Sequence, residues 1–188
     1  STKRMKGNNT DEQLMQLIGQ GSQEAFRQLY ERHARRLQGF FLRMLAYDEE
    51  KAKDFTQELF IKVYEQSPRF NEGKSLFTTW LYSMAYNLCK NEYRHQGVVE
   101  AYKAEHQLRD EPASSQGEGH LNTELMYEHL RRAIATLPAE QRTAFTLRYQ
   151  EELPVKEIAH ILQVPEGTIK ARLHYALLKV QEAMKPFK

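Results

Sequence analysis

Apolar residues recur at helical spacing along most of the chain, and a few polar interruptions divide it. Thr10 stands before Asp11 and Glu12 and then Leu14, Leu17 and Ile18, which predicts a short capped helix with an acidic first turn, ended by Gly19 and Gly21. A long helix is expected over residues 22–46. Ala25, Phe26, Leu29, Tyr30, Leu37, Phe40, Phe41, Met44 and Leu45 give it a broad apolar face, and Arg32, Arg35, Arg36 and Arg43 ride on the polar side. Those arginines suit a solvated face or a contact with DNA. After a turn at 48–50, residues 54–66 (DFTQELFIKVYEQ) set Phe55, Leu59, Phe60, Val63 and Tyr64 against Asp54, Gln57, Glu58, Lys62 and Glu65. Ile61 breaks the pattern by projecting from the polar, mostly acidic side. An apolar side chain ringed by acids suits the anchor of a protein interface, although isolated exposed apolar residues are also common.

Ser67, Pro68, Asn71 and Gly73 mark a loop, whose Arg69, Phe70, Asn71, Lys74 and Ser75 are placed to wall a pocket at the start of the next helix. That helix, residues 79–95, turns Trp80, Leu81, Met84, Ala85, Leu88 and Cys89 onto one flank. Down the other side Ser83, Asn87, Lys90 and Arg94 follow at i, i+4, i+7 and i+11, with Tyr82, Tyr86 and Tyr93 beside them. Cations for phosphates, an amide for a base edge and aromatic faces for stacking make a single-stranded nucleic-acid platform. Taken alone, the same stripe suits a solvated face with tyrosines at the core edge.

Over residues 97–123 the period dissolves into Pro, Ser and Gly, which reads as a flexible linker. Beyond it, Leu125, Leu130, Ile134 and Leu137 form a helix stopped by Pro138, and residues 139–150 form another with Phe145, Leu147 and Tyr149 turned inward. Val155, Ile158, Ala159 and Leu162 then make a short helix. A turn at 164–167 leads to a second helix capped by Thr168, with Ile169, Leu173, Ala176, Leu177, Val180 and Met184 buried. This is the form of a helix-turn-helix, whose second helix lies in the major groove. Its exposed arc holds Thr168, Ala171, Arg172, Tyr175 and Lys179, with Lys170 and His174 alongside.

Composition narrows the classes without choosing among them. The 188 residues are 40% hydrophobic and 28% charged, as expected of a helix-rich soluble protein. A net charge of +2 is too small to advertise DNA binding by itself, but its distribution is uneven. Residues 1–97 carry 15 basic and 12 acidic groups and residues 124–188 carry 10 and 8, whereas 98–123 carry 2 and 5. Cys89 is the only cysteine, so a disulfide or thiolate zinc site within one chain is excluded. The seven histidines are scattered, and no Gly-rich phosphate loop or nucleophile elbow occurs, so no enzyme activity, metal or cofactor is expected. No stretch is long enough for membrane insertion, and the opening STKRMKGNN lacks a signal-peptide core; a cytoplasmic location is expected, with residues 1–9 a tail outside the fold.

Three segments in order, DFTQELFIKVYE, FNEGKSLFTTWLYSMAYNLCKNEYR and LPAEQRTAFTLRYQEELPVKEIAHILQVPEGTIKARLHYAL, resemble the extracytoplasmic-function group of bacterial RNA polymerase sigma factors, which keep only regions 2 and 4. The resemblance implies an all-α chain of two small helical domains, region 2 over 10–97 and region 4 over 124–188, joined by a linker at 98–123. It implies a promoter-specificity subunit that binds RNA polymerase core, through the β′ clamp helices and β flap, as well as promoter DNA. Asp54, Gln57, Glu58 and Ile61 would dock on the clamp helices. Phe70, Asn71, Lys74, Ser75, Ser83, Tyr86 and Asn87, with Lys90, Asn91 and Arg94, would hold the opened minus-ten element. Glu166, Thr168, Lys170, Ala171, Arg172, His174, Tyr175 and Lys179 would meet the minus-thirty-five element. An anti-sigma factor is an expected regulator.

Two departures stand out. Tyr175, Ala176 and Leu177 occupy positions where relatives usually carry Arg-Ala-Arg, and Ala171 replaces a common serine. Two phosphate contacts are thereby lost, so weak unaided minus-thirty-five binding is expected. A sigma mimic that occupies an anti-sigma factor would not need the cationic line or the base-reading helix. A stand-alone helix-turn-helix regulator leaves the region 2 resemblance unexplained.

Overall fold

The computed structural model describes residues 8–96 and 118–187, with the backbone alone described for 94–96 and 118–121. Most of the expected tail and linker, residues 1–7 and 98–117, lie outside the described residues. Every regular element among the described residues is helical. The chain forms two compact units, residues 1–90 and 91–188.

In the first unit, α1 is Asp11–Gly19, α2 Gln23–Met44 and α3 Glu49–Gln66, and α4 (Phe77–Gln96) begins there and continues past its last residue, Lys90. Thr10 caps α1 reciprocally: its hydroxyl accepts the Gln13 N–H at 3.2 Å and the Gln13 side-chain oxygen accepts the Thr10 N–H at 2.9 Å. Leu14, Met15 and Ile18 of α1 join Leu29, Leu37, Phe40 and Phe41 of α2, Leu59 and Val63 of α3, and Phe77, Leu81 and Ala85 of α4 in the buried core. α3 starts five residues before the expected 54, because Asp48 accepts the Lys51 N–H and Glu49 and Glu50 favour the positive helix end. Its buried line is Ala52, Thr56, Leu59, Phe60 and Val63, with the Thr56 hydroxyl donating to the Ala52 carbonyl at 2.7 Å. That line leaves Tyr64 roughly a quarter-turn from its centre. Tyr64 is therefore 54% exposed rather than turned inward, its ring meeting only the edge of the core at Phe26.

The second unit holds α5 (Glu118–Ala135), α6 (Ala139–Phe145), α7 (Val155–Leu162) and α8 (Glu166–Ala183). Leu137, Phe145, Ala176 and Val180 form a buried cluster, flanked by Leu130, Ile134, Leu177 and Met184. Three boundaries differ from the sequence reading. α5 begins at Glu118, so residues 118–123 are helical rather than linker. α6 widens into a π-helical turn at Thr146–Gln150, closed by the Glu151 N–H on the Thr146 carbonyl at 3.0 Å; the wider turn rotates Tyr149 outward. α8 begins at Glu166, because extended Pro165 precedes it and accepts the Thr168 N–H at 3.0 Å. Thr168 consequently lies within the first turn and does not cap it. The turn between α7 and α8 passes through Gln163 in the left-handed conformation, φ 55°.

Candidate nucleic-acid interface

The exposed side of α4 carries Asn87, Lys90 and Asn91 together, as the helical spacing requires. Ser83 shares the row, but its hydroxyl donates to the Thr79 carbonyl at 2.8 Å and so is turned onto the helix backbone. Tyr86 and Tyr93 are half-buried and engaged within the protein. Tyr82 does not belong to the stripe. It is 1% exposed, edge-on to Phe40 at 5.4 Å, with the Arg36 guanidinium 5.8 Å from its ring centre. Arg94 has no described side chain.

Before α4, Ser67–Arg69 form one 3₁₀ turn and the chain folds back at Asn71. The Asn71 side-chain oxygen accepts the Gly73 N–H at 2.9 Å, and its carbonyl accepts the Lys74 N–H at 3.0 Å. A side chain at Gly73 would bring its Cβ to 3.1 Å from that same oxygen, so the Asn71 side chain would have to give by a few tenths of an ångström. Phe70 packs against Trp80 at 5.2 Å and Phe77 at 6.0 Å, so an aromatic step connects the loop to α4.

A cleft of about 390 Å³ lies beside this loop, lined by Glu12, Gln16, Pro68, Arg69, Phe70, Asn71 and Glu72. Arg69, Phe70 and Asn71 wall it as expected, whereas Lys74 and Ser75 do not; the Ser75 hydroxyl instead donates to the Leu76 carbonyl at 3.1 Å. The opposite wall is α1, through Glu12 and Gln16. Sequence reasoning assigned the acid at 12 only to the helix dipole. Glu12 also accepts the Phe77 N–H at 3.3 Å, so it ties α1 to the start of α4.

On α3, Asp54, Gln57 and Glu58 are exposed around Ile61, itself 57% exposed. Tyr64, one turn along, adds an aromatic surface that the periodicity had assigned to the core. Lys62 reaches back to Glu58 at 3.6 Å. Of the α2 arginines considered for DNA, Arg32 is bonded to Asp11 at 2.9 Å and Arg36 lies over Tyr82. Both therefore serve the fold.

On α8, Glu166, Lys170, Ala171, His174, Tyr175 and Lys179 are exposed and Thr168 is half-buried. Arg172 sits at the flank of this face. Its side chain is 20% exposed and lies 3.4 Å from Glu140 of α6, which is 75% exposed. The His174 and Tyr175 rings meet edge to face at 5.5 Å. Among the described residues no group of His, Cys, Asp or Glu is placed to hold a metal, and no helix is long and apolar enough to cross a membrane.

Residues 29–99 match the family described as Sigma-70 region 2, and residues 127–180 match Sigma-70, region 4. The chain is 32% identical over 187 residues to the RNA polymerase sigma-H factor of Pseudomonas aeruginosa, covering 94% of each. It is 31% identical over 192 residues to the ECF RNA polymerase sigma-E factor of Haemophilus influenzae, covering 94% of this chain and 96% of that one. In fold it is similar to CnrH, solved in complex with the cytosolic domain of CnrY, with a TM-score of 0.70 and 19% identity over 96% of this chain and 100% of that chain. It is also similar to the sigma factor RpoE solved with the anti-sigma factor NepR from Bartonella quintana, with a TM-score of 0.65 and 23% identity over 86% and 98%. With nearly full-length relatives above 30% identity, and regions 2 and 4 following one another in chain order, this protein belongs to the extracytoplasmic-function RNA polymerase sigma factors.

Proposed function

We propose that this sigma factor docks on RNA polymerase core through the α3 face around Ile61, holds the opened minus-ten element on α4 and the 70–75 loop, and reads the minus-thirty-five element with α8. As a sigma factor it is a promoter-specificity subunit and not an enzyme: polymerase supplies nucleotidyl transfer, and this chain supplies position and strand opening. Work beside polymerase places it in the cytoplasm. The observation that carries the minus-ten reading is the exposed row of Asn87, Lys90 and Asn91 on α4, the helix that Phe70 joins to the loop through Trp80.

Unstacking a base costs a few kcal/mol, and stacking on an aromatic returns about 1–3 kcal/mol per base. With Tyr82 in the core, Phe70, Tyr86 and Tyr93 are the aromatic groups left to supply that return, and Lys90 supplies charge for the strand. On α3, an aliphatic and an aromatic side chain inside a rim of Asp54, Gln57 and Glu58 suit a desolvated contact with a basic, partly apolar helical surface, as the β′ clamp helices would offer. On α8, Lys170 and Lys179 are the exposed cations placed for phosphates, with Arg172 at the flank paired to Glu140, and the β flap would hold this unit over the element. An anti-sigma factor would silence the chain by covering these faces; the two fold relatives were each solved as complexes, RpoE with an anti-sigma factor.

Run-off transcription with purified polymerase core on a library of random promoter DNA, with and without the chain, tests the reading. Discrete start sites that require the chain support it and define both elements. Failure of both core binding and transcription overturns it in favour of a sigma mimic.

A further inference from the structure

Ala171, Tyr175 and Leu178 follow one another at i, i+4 and i+7 on α8, and all three are exposed, Tyr175 at 56% and Leu178 at 49%. Single apolar residues on a surface need no explanation, but three in one row do. At about 100° per residue they fall within about 40° of one line, opposite the buried Ile169, Leu173, Ala176 and Val180. Lys170 and Lys179 are exposed on the two shoulders of the helix, about 80–100° to either side of that line. From Gly167 to Gln181 the helix carries no acid. Glu182, one turn beyond Leu178, ends the row and is paired with Lys185 at 2.7 Å, and Glu140 of α6 meets Arg172 at the flank. The crest of α8 is thus apolar and its shoulders are cationic.

That order, cation, apolar line, cation, matches a section through the major groove, where phosphates form the walls and base edges the floor. Apolar side chains cannot satisfy the donors and acceptors of a base edge, and covering those groups would leave them unpaired. The apolar group on the floor of the major groove is the C5-methyl of thymine. From Ala171 to Leu178 the helix rises about 10 Å, roughly the length of three base-pair steps. The His174 ring meets Tyr175 edge to face at 5.5 Å, which steadies the tyrosine on one side without covering it. On α3 the exposed apolar group is rimmed by acids and suits a basic protein surface; on α8 the row is rimmed by lysines and suits a polyanion.

We propose that α8 selects its element by thymine methyl groups, with the Ala171 methyl and the Tyr175 ring set against them and Leu178 closing the row. The proposal rests on the reading of α8 as the minus-thirty-five helix and names the base chemistry that this helix selects. It also gives a use to the two departures at 171 and 175. Where a hydroxyl and a guanidinium are common, this chain presents a methyl and an aromatic ring, so contacts with polar edges and phosphates are exchanged for contacts with methyl groups. Apolar contacts of this kind respond little to salt, whereas the phosphate contacts made by Lys170 and Lys179 weaken as salt rises. Discrimination between promoters therefore comes from the crest of the helix, and general affinity for duplex DNA from its shoulders.

The test uses the full chain with polymerase core on promoters recovered from the random library. Thymines are expected at two or more positions of the upstream element, on either strand. Replacing one of them by deoxyuridine deletes only the methyl group and weakens promoter binding about fourfold. Tyr175→Ala abolishes the deoxyuridine effect at one position and leaves it at the others, whereas Tyr175→Phe retains it everywhere, because the ring and not the hydroxyl makes the contact. Tyr175→Arg also abolishes it at that position and steepens the salt dependence by about 0.9 unit of slope. Deoxyuridine that is neutral at every position overturns the proposal, as does a deoxyuridine penalty that is the same at every position in the parent and in Tyr175→Ala. Promoters that share no upstream element, and that Lys170→Ala binds as the parent does, show that the minus-thirty-five reading itself has failed. A shared element indifferent to deoxyuridine shows that the methyl reading alone has failed.

Discussion

Arg172 of α8 lies 3.4 Å from the Glu140 carboxylate of α6, so the one arginine on the proposed reading face is already paired within its own unit. With Glu140 largely in solvent, such a pair contributes at most about 1 kcal/mol. Glu140→Gln releases the guanidinium and removes the negative charge beside it. Duplex binding by the chain is expected to tighten about two- to fivefold at low salt, with little dependence on sequence, and the gain is expected to fade as salt rises. Fluorescence anisotropy across a salt series measures it; no change would show that the pair does not restrain Arg172.

The Asp11 carboxylate is shared by Arg32 at 2.9 Å and His33 at 2.8 Å, which binds the start of α1 to α2. Burial alone would raise its pKa, but hydrogen bonds and charge from His33 and Arg32 outweigh it, and the group titrates below its ordinary 3.8. A carboxylate depressed in the folded state stabilises above its unfolded pKa and loses that contribution as pH falls through the folded one. Asp11→Asn is expected to cost about 1.5 kcal/mol at neutral pH, with the deficit shrinking below about pH 4. Trp80 is the only tryptophan and lies in the first unit, so its fluorescence in urea follows this unit alone.

Ile61→Glu is expected to weaken polymerase core binding about thirtyfold or more, as loss of an interface anchor does. Tyr64→Ala is expected to weaken it as well. Neither should lower the thermal midpoint appreciably, since both side chains are more than half exposed. Normal core affinity in both variants would remove α3 from the interface.

Asn87→Ala and Lys90→Ala are expected to impair open-complex formation more than core binding. Lys90→Ala should also flatten the salt dependence of single-strand binding by about 0.7 unit of slope, the share of one phosphate contact. Equal loss of core affinity and of opening in these variants would count against the minus-ten assignment.

Helix order, the two-unit plan and the helix-turn-helix were legible because each rests on local spacing and turn residues. On α4, Asn87 and Lys90 were legible for the same reason, as was Ile61, an apolar residue out of phase with its helix, whereas Asn91 entered only through the family resemblance. Three tyrosines were not. Tyr64, Tyr82 and Tyr149 were each placed on the wrong side, because a tyrosine has an apolar ring and a polar tip and its neighbours decide which of them prevails. For Tyr82 the decision came from Phe40 and Arg36, more than forty residues earlier; for Tyr149 it came from one wide turn.

The cleft shows the same division. Phe70 and Asn71 could be nominated from a short loop, but Glu12 and Gln16 are more than fifty residues away and meet that loop only because α1 packs across the start of α4. Periodicity and capping act over a few residues, so the chain alone specified which segments are helical and which faces could be polar. Which polar groups are engaged by the fold, as Arg32 is by Asp11 and Arg36 by Tyr82, is set by contacts between distant segments. A one-dimensional pattern does not encode those distances; packing does.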